Sequence, residues 1–247
     1  MTYTVKKWSM TALVAISAFA LLAGSARATF QIRMDEGADG SFEWTLDDNG
    51  SVTFDSTTIA DTHPDIGAIN VNAYEHNGWK IQVIAASSTS PGGHPPTIDI
   101  LSFNVENVGA GNDADLVLEV SDIDFNVPAS PIAVHALLNM AGITIPTGTS
   151  VKYTSYASAN NTTFQKDFAT STLSLATSDV VRTSAGPFTY TSAYSLTGRL
   201  VIVDLDQGQS LNVNVGKTWT TPEPASLAVF GSLFGLAGLW FRRRKRA

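Results

Sequence analysis

The chain of 247 residues contains no cysteine. This absence excludes disulfide bonds, so the fold must depend on its hydrophobic core. It also excludes cysteine nucleophiles and metal sites built from thiolates. Histidine is scarce, with four residues, and neither a His-Glu-x-x-His helix nor a Gly-x-Ser-x-Gly elbow occurs. A Ser-His-Asp triad assembles from distant positions, so the many serines and aspartates neither favour nor oppose one.

Basic residues are rare in the central part of the chain. Between Thr29 and Thr221 there are seven basic and 21 acidic residues, which gives this body a net charge of −14. The other eight basic residues belong to the two ends. A surface this acidic repels nucleic acid, so no nucleic-acid partner is expected. It either attracts divalent cations or keeps the protein soluble through self-repulsion.

The N-terminal end has the features of a signal peptide. Two lysines precede an apolar stretch of 14 residues, Thr11 to Gly24. Ala26 and Ala28 then form the small-x-small pattern at which signal peptidase cuts. We therefore expect residues 1–28 to be a signal peptide and the mature chain to begin at Thr29. The alternative is an anchor that is not cleaved.

Three features follow one another at the C-terminal end. A short motif, Pro222, Glu223 and Pro224, precedes 17 uncharged residues from Ala225 to Phe241. That length is the lower limit for a helix that crosses a membrane. Proline disfavours helix before it, so the segment ahead of the span should be extended and accessible. The span is followed by five basic residues, Arg242, Arg243, Arg244, Lys245 and Arg246. Such residues stay cytoplasmic, which places the body outside.

This order of motif, span and basic end resembles the PEP-CTERM sorting signal of Gram-negative bacteria. The resemblance covers residues 222–247, and Thr221 stands where the family usually has valine. It implies that the inner membrane holds the chain until exosortase, a membrane-embedded cysteine protease, cuts near the motif. It also implies a final location at the cell surface or in an extracellular matrix of exopolysaccharide and biofilm. It implies nothing about the body.

The body, Thr29 to Thr221, is long enough for one all-β domain with a sizeable core, or for two small ones. Short segments of alternating apolar residues are separated by Gly, Pro and Asn, a pattern that predicts a β-sandwich. Candidate strands include Phe42–Leu46, Gly78–Ala85, Val151–Tyr156 and Tyr190–Leu196. The segment from Pro131 to Met140 is the one place where a short helix is predicted.

Finer features of the strand pattern give further predictions. Leu200–Leu205 and Ser210–Val215 flank the turn sequence Asp206–Gln209, which predicts a β-hairpin. The alternation slips by one residue after Val120 and again after Ile100, which indicates a β-bulge or a bend at each place. Between residues 147 and 197, 21 of 51 residues are Ser or Thr. We expect their hydroxyls on the solvent face of strands; an O-glycosylated stretch is the alternative.

Acidic residues at alternate positions are the strongest metal candidate. The residues concerned are Asp113, Asp115, Asp122, Asp124 and Asn126. On one strand face, Asp122, Asp124 and Asn126 would point three oxygens the same way, and calcium takes six to eight oxygen ligands. An EF-hand is excluded because the sixth and twelfth positions from Asp122 are not Gly and Glu. The alternative is a solvated edge strand protected by charge. No other cofactor is predicted.

These observations favour an exported, non-enzymatic β-sandwich with a structural, adhesive or glycan-binding role. Aromatic side chains on a sandwich face can stack on sugar rings, and exopolysaccharide is a natural partner for a protein with such a tail. A secreted polysaccharide hydrolase is the first alternative, and it requires two carboxylates roughly 5–10 Å apart across a cleft. A calcium-dependent binding module is the second alternative.

Overall fold

The computed structural model describes residues 29–90, 95–109, 115–127 and 131–223, and within these ranges it contains 17 strands and no helix. In chain order the strands are β1 (Gln31–Asp35), β2 (Trp44–Asp47), β3 (Ser51–Phe54), β4 (Thr57–Ala60), β5 (Ala68–Val71), β6 (Tyr74–His76), β7 (Trp79–Ser88), β8 (Thr97–Asn107), β9 (Leu116–Phe125), β10 (Ile132–Asn139), β11 (Ser150–Ser158), β12 (Phe168–Ala169), β13 (Leu173–Leu175), β14 (Val180–Phe188), β15 (Tyr194–Val203), β16 (Ser210–Val213) and β17 (Val215–Pro222).

The strands form two antiparallel sheets packed face to face, which confirms the predicted all-β sandwich. The seven-stranded sheet has the order β12-β11-β15-β9-β1-β2, with β13 also paired to β11. The eight-stranded sheet has the order β14-β10-β17-β8-β7-β5, with β16 beside β8 and β6 beside β7. Strands β3 and β4 form a separate hairpin. The described ranges contain no helix able to span a membrane. The predicted signal peptide and the tail from Pro224 onward lie outside them.

The core lies between the two sheets and consists of side chains at alternate strand positions. Each of its central members is fully buried, among them Ile32, Met34, Leu118, Val120, Leu200, Ile84, Ile100, Phe103, Val134 and Val213. Tyr153 crosses the space between the sheets and its hydroxyl lies 2.9 Å from Oγ1 of Thr218. A Cβ atom at Gly198 would lie 2.3 Å from that hydroxyl, and one at Gly216 would lie 2.7 Å from the ring. Both glycines are therefore required for the ring to fit.

The predicted helix from Pro131 to Met140 is wrong, because this segment contains strand β10, which is paired on both sides, with β14 and β17. Side chains along β10 alternate strictly between buried and half-buried. The outward positions include His135 and Leu137, and the apolar leucine there masks the alternation in the sequence. Burial on one face of a sheet therefore determines the structure of a segment whose composition also suits a helix.

The predicted hairpin around Asp206–Gln209 is also wrong. Strand β15 belongs to the seven-stranded sheet, whereas β16 pairs with β8 in the other sheet, with Leu211 opposite Val105. The turn therefore carries the chain from one sheet to the other. Turn residues between two apolar segments are compatible with either connection, and the packing of the two sheets decides between them.

Both predicted irregularities are confirmed as shifts in strand register. Strand β9 shifts against β15 between Tyr194 and Leu196, which lie opposite Phe125 and Asp122. Strand β8 shifts against β7 at Ala85 and Ala86, and Leu101 is left 49% exposed there. The candidate strands at Phe42–Leu46, Gly78–Ala85, Val151–Tyr156 and Tyr190–Leu196 all contain strand residues.

The sequence predicted that the hydroxyls of the Ser- and Thr-rich region lie on the solvent face of strands. This is wrong for part of the region. Seven of these side chains are buried: Thr149, Thr154, Ser155, Ser158, Thr170, Ser195 and Thr197. Several of them satisfy one another or a neighbouring strand, as when Oγ of Ser155 lies 2.7 Å from Oγ1 of Thr218. Buried hydroxyls that are paired in this way avoid the cost of desolvation without a partner.

Candidate functional site

The outer side of the eight-stranded sheet is accessible to solvent over β14, β10 and β17. Side chains on β10 and β17 alternate between buried and half-buried, and those on β14 between exposed and half-buried over most of its length. We call the outward residues of these strands the open face. It comprises His135, Leu137, Arg182, Ser184, Lys217 and Trp219.

Two aromatic rings are stacked on the open face. Trp219 lies directly opposite His135 in the register of β17 and β10. Their ring centroids are 4.9 Å apart and their planes differ by 11°. Nε2 of His135 lies 2.8 Å from Oγ1 of Thr221. Burial lowers the pKa of His135, although the charge of Glu223 opposes the shift. The imidazole is therefore neutral at pH 7, and the pair forms an uncharged aromatic strip.

Polar and charged side chains flank this strip along the neighbouring row of the sheet. One row across four neighbouring strands consists of Arg182 on β14, Leu137 on β10, Lys217 on β17 and Asp99 on β8. The Nζ atom of Lys217 donates to Oδ2 of Asp99 at 3.2 Å. Burial raises the pKa of Asp99, and the Lys217 ammonium opposes the shift. The strip is thus bordered by hydrogen-bond donors and acceptors.

The outer side of the seven-stranded sheet has a different character, because it is covered where β9 crosses it. The side chains from Leu116 to Asp122 are buried without interruption, on both sides of the sheet. The segment 159–167 lies over this strand. The backbone N–H of Phe164 donates to Oγ of Ser121 at 2.8 Å, and Lys166 donates to Glu119.

Glu119 is the centre of the covered side. Its side chain is fully buried, and Nη2 and Nε of Arg33 contact Oε2 at 2.7 and 3.0 Å. Lys166 binds Oε1, and Nη1 of Arg199 lies 3.4 Å from the same atom. Arg33 and Arg199 lie opposite Glu119 on the two neighbouring strands, so the register of the sheet brings these charges together.

Aromatic rings enclose these charges. The guanidinium carbon of Arg33 lies 3.7 Å from the ring centre of Phe42 and 4.0 Å from that of Phe164. Lys166 lies 5.4 Å from the ring centre of Tyr156. Burial lowers the pKa of Lys166, and its bond to Glu119 opposes the shift. We call the following set the Glu119 cluster: Arg33, Phe42, Glu119, Tyr156, Phe164, Lys166 and Arg199.

The residues of the predicted calcium site are not brought together. Asp113 lies outside the described residues. Asp115 comes just before β9, whereas Asp122 and Asp124 lie near the opposite end of that strand, roughly 23 and 30 Å away along the chain at about 3.3 Å per residue. Asn126 is exposed beyond the end of the strand.

The three residues expected on one strand face point in different directions. Asp122 faces the core side of the sheet and is fully buried, and its Oδ2 has no hydrogen-bond partner among the described residues. Burial raises the pKa of Asp122 to about 6. Asp124 has a φ of 64°, which turns it out of the strand pattern, and its carboxylate accepts from Nδ2 of Asn161 at 2.7 Å. The bulge separates the side chains, and calcium binding stays a prediction.

Another group of titratable residues surrounds His76. One ring nitrogen contacts the buried carboxylate of Glu36, and Nε2 lies 3.1 Å from Oδ2 of Asp55. Burial raises the pKa of Glu36 to about 7 despite the opposing contact with His76. Burial also lowers the pKa of His76, but the two carboxylates outweigh this and raise it. The two carboxylates contact opposite edges of one imidazole ring, which lies between them.

Comparisons with known proteins identify no family. No protein-family model and no curated protein matches the chain. Among solved structures, TmCBM61 in complex with β-1,4-galactotriose is 10% identical, covers 60% of this chain and 91% of its own, and has a TM-score of 0.30. The adhesin domain of Epf from Streptococcus pyogenes is 12% identical, with coverages of 78% and 61% and a TM-score of 0.33. A family 22 carbohydrate-binding module of Clostridium thermocellum Xyn10B is 10% identical, with coverages of 61% and 89% and a TM-score of 0.27. Similarity this weak supports no inference about the function of this chain.

The sequence did not indicate either of the two groups of residues on the outer sides. Positions 33, 119 and 199 are far apart in the chain and become neighbours only through the strand order β1-β9-β15, and position 166 joins them from the segment that covers β9. His135 and Trp219 are likewise joined by strand register. One feature of the sequence could have pointed to the Glu119 cluster. Basic residues are scarce in the body, and three of the seven belong to this cluster.

Proposed function

We propose that this chain is an exported, non-enzymatic protein of the cell surface or extracellular matrix that binds glycans on its open face. Binding to exopolysaccharide gives it an adhesive or structural role. The observation that supports this most directly is the stack of Trp219 on His135 on an accessible side of the sandwich.

The chemistry of the strip suits sugar rings. A sugar presents C–H groups on its faces and hydroxyls at its edges, so an aromatic surface bordered by polar groups satisfies both. His135 is neutral at pH 7, so the strip itself carries no charge. Arg182 and the Lys217–Asp99 pair supply donors and acceptors beside it.

The position of the sorting motif is compatible with surface delivery. Strand β17 continues to Pro222, which lies opposite Ile132, and the backbone N–H of Glu223 donates to the carbonyl of Pro131 at 3.2 Å. The first two residues of the motif, Pro222 and Glu223, are therefore still bonded to the neighbouring chain segment at the start of β10. In this proposal exosortase acts beyond the paired strand, and the exported form begins at Thr29 and lacks the basic end. Mass spectrometry of the extracellular protein tests this, and an intact basic end would contradict it.

A glycan array tests the binding function. The full chain, purified in mild detergent, is applied with and without calcium, together with Trp219→Ala and Ile66→Ala. Ile66 is 72% exposed and lies outside the open face, so its substitution removes apolar surface without touching the strip. We expect Trp219→Ala to abolish or strongly weaken glycan binding and Ile66→Ala to leave it unchanged.

Two outcomes would contradict the proposal. One is the absence of binding to any glycan by the wild-type chain, and the other is equal binding by the wild type and Trp219→Ala. Because Trp219 is half-buried, the variant must first show a cooperative melting curve. Trp219→Phe, which keeps a ring at this position, should restore part of the binding.

A further inference from the structure

The Glu119 cluster contains more positive charge than Glu119 requires. One carboxylate is surrounded by Arg33, Lys166 and Arg199, which leaves two positive charges without an acidic partner in the cluster. This excess occurs in a body with a net charge of −14. Partly buried cations that repel one another are costly unless something compensates them. A structural role for Glu119 accounts for one of the cations and not for all three.

Nearby acids within the described ranges do not supply the missing charge. Asp167, which follows Lys166 in the chain, accepts hydrogen bonds from Ser158 and from Gln165. Asp124 is held by Asn161 of the covering segment. Neither of them forms an ion pair with a cation of the cluster in the part of the chain that the structure describes.

The cluster retains donors that a ligand can use. Arg33 directs Nε and Nη2 at Glu119. Arg199 approaches Glu119 at 3.4 Å but makes no side-chain hydrogen bond to any described residue. The side chains of Arg33, Lys166 and Arg199 are 22%, 24% and 32% exposed, whereas Glu119 is 0% exposed. A ligand can therefore reach the cations from outside but not the carboxylate.

The shape of these groups favours a planar anion next to an apolar surface. Guanidinium groups match carboxylates geometrically, and charge-assisted hydrogen bonds of this type are the strong ones. The rings of Phe42, Tyr156 and Phe164 border the cations and can contact the C–H groups of a sugar or a small organic acid.

We propose that the Glu119 cluster is a second binding site, specific for the carboxylate group of an acidic sugar or another small organic acid. Lys166 and Arg199 contact the carboxylate of the ligand. Glu119 acts as a positioning residue that holds the three cations in place, and Arg33 is fixed by it between two phenyl rings. The site lies on the opposite side of the sandwich from the open face and does not depend on it.

The test uses polygalacturonate, its methyl-esterified form and free galacturonate as probes of the full chain in mild detergent. At low salt we expect polygalacturonate to bind at least about tenfold more tightly than the ester, because only the former carries carboxylates. The double variant Lys166→Gln/Arg199→Gln should lose this preference. The control Lys80→Gln removes a positive charge on the eight-stranded sheet, away from the cluster, and should keep it.

Competition by free galacturonate distinguishes the two sources of the carboxylate. Displacement of the polymer by the monomer means that a small organic acid suffices, and failure to displace it means that the polymeric acidic sugar is the ligand. Either result supports the site if the double variant loses the preference. Trp219→Ala should leave the preference unchanged, so a failure of the open face and a failure of this site give different results.

The proposal is overturned if the ester binds as tightly as the acid, if the double variant keeps the preference, or if the control variant loses it to the same extent. If the double variant does not fold, Arg199→Lys provides the test. It keeps the charge beside Glu119 but removes the planar fork, and it should lower the preference several-fold. An unchanged preference in Arg199→Lys would then overturn the proposal.

Discussion

The two outer sides of this sandwich use polar residues in opposite ways. On the open face, Lys217, which is 36% exposed, pairs with Asp99, which is 16% exposed, beside an aromatic strip. On the covered side, Glu119 is fully buried, and its three cationic partners keep only about a quarter of their side-chain surface in water. Both sides rest on the same kind of antiparallel sheet. The difference arises because the segment 159–167 covers one of them.

Because of this difference, we expect the covered side to matter mainly for the stability of the fold and the open face mainly for ligand binding. A buried carboxylate that loses its ionised form leaves its cations without compensation, which costs about 3–5 kcal/mol in comparable cases. A pair that is partly exposed contributes less, on the order of 1 kcal/mol, because water and salt screen it. Substitutions on the covered side should therefore affect folding, whereas those on the open face should mainly affect binding.

The largest effect is expected from Glu119→Gln. This change removes the one negative charge among Arg33, Lys166 and Arg199. The free energy of unfolding, measured in urea at pH 7, should fall by about 3–5 kcal/mol. The segment 159–167 should also become more susceptible to proteolysis, because Lys166 no longer holds it to the sheet.

Lys217→Gln on the open face is the matched comparison. It also neutralises one member of an ion pair, but the remaining carboxylate, Asp99, is 16% exposed, whereas Glu119 is 0% exposed. Its effect on unfolding should be about 1 kcal/mol or less. Equal losses in Glu119→Gln and Lys217→Gln would show that the two sides do not differ in the way that their burial indicates.

The next effect concerns pH and the buried carboxylate of Asp122. Burial raises its pKa to about 6 in the folded state, so the folded protein holds this proton more tightly than the unfolded chain. The stabilisation is fully present below about pH 4 and is lost as pH rises through about 6. Glu36, whose pKa is raised to about 7, contributes in the same direction over this range. The raised pKa of His76 acts at higher pH, because its stabilisation is lost only above the usual pKa of histidine. Stability should therefore decrease from pH 4 to pH 7.

Asp122→Asn isolates the contribution of this one residue. The variant should be more stable than the wild type at pH 7, by on the order of 2 kcal/mol, and the advantage should disappear near pH 4. Urea unfolding of both proteins at the two pH values measures the difference. A constant difference across this range would mean that Asp122 does not titrate with a raised pKa.

The strand pattern was sufficient to predict the class of fold, and the reasons are visible at particular residues. The slip of alternation after Val120 corresponds to the bulge opposite Tyr194 and Leu196, because a bulge changes which side chains face the core. The helix over Pro131–Met140 failed because Leu137 is an apolar residue on the outward side. The hairpin failed because nothing local distinguishes a turn within a sheet from a turn between sheets.

The candidate sites were less predictable than the fold, since both depend on strand order. Arg33 meets Glu119 only because β1 pairs with β9, although 86 positions separate them in the chain. Trp219 meets His135 because the last strand lies beside β10. The calcium candidates had the reverse problem, since Asp122 and Asp124 are close in sequence but the bulge turns them apart. A short segment of sequence carries no information about which distant strand it will pair with.

The smallest effect on stability is expected from calcium. Calcium binding by the acidic residues around Asp122 stays a prediction from the sequence. Millimolar calcium should raise the melting temperature by a few degrees if an ion binds the folded state specifically. Asp122→Asn with Asp124→Asn should remove this increase. Magnesium at equal ionic strength controls for simple screening of the acidic body. Equal shifts with both ions, or a shift that survives the double substitution, would show that no specific site exists.

The measurement that tests the open face most directly is hydroxyl-radical footprinting of the three tryptophans of the body. Trp44 and Trp79 are 3% and 1% exposed, so they serve as internal references within the same molecule. In the free protein, Trp219 should be oxidised much faster than either of them. Addition of exopolysaccharide extracted from the producing cells should slow the oxidation of Trp219 and leave the two references unchanged. An oxidation rate of Trp219 that is the same with and without the polysaccharide would contradict glycan binding on the open face.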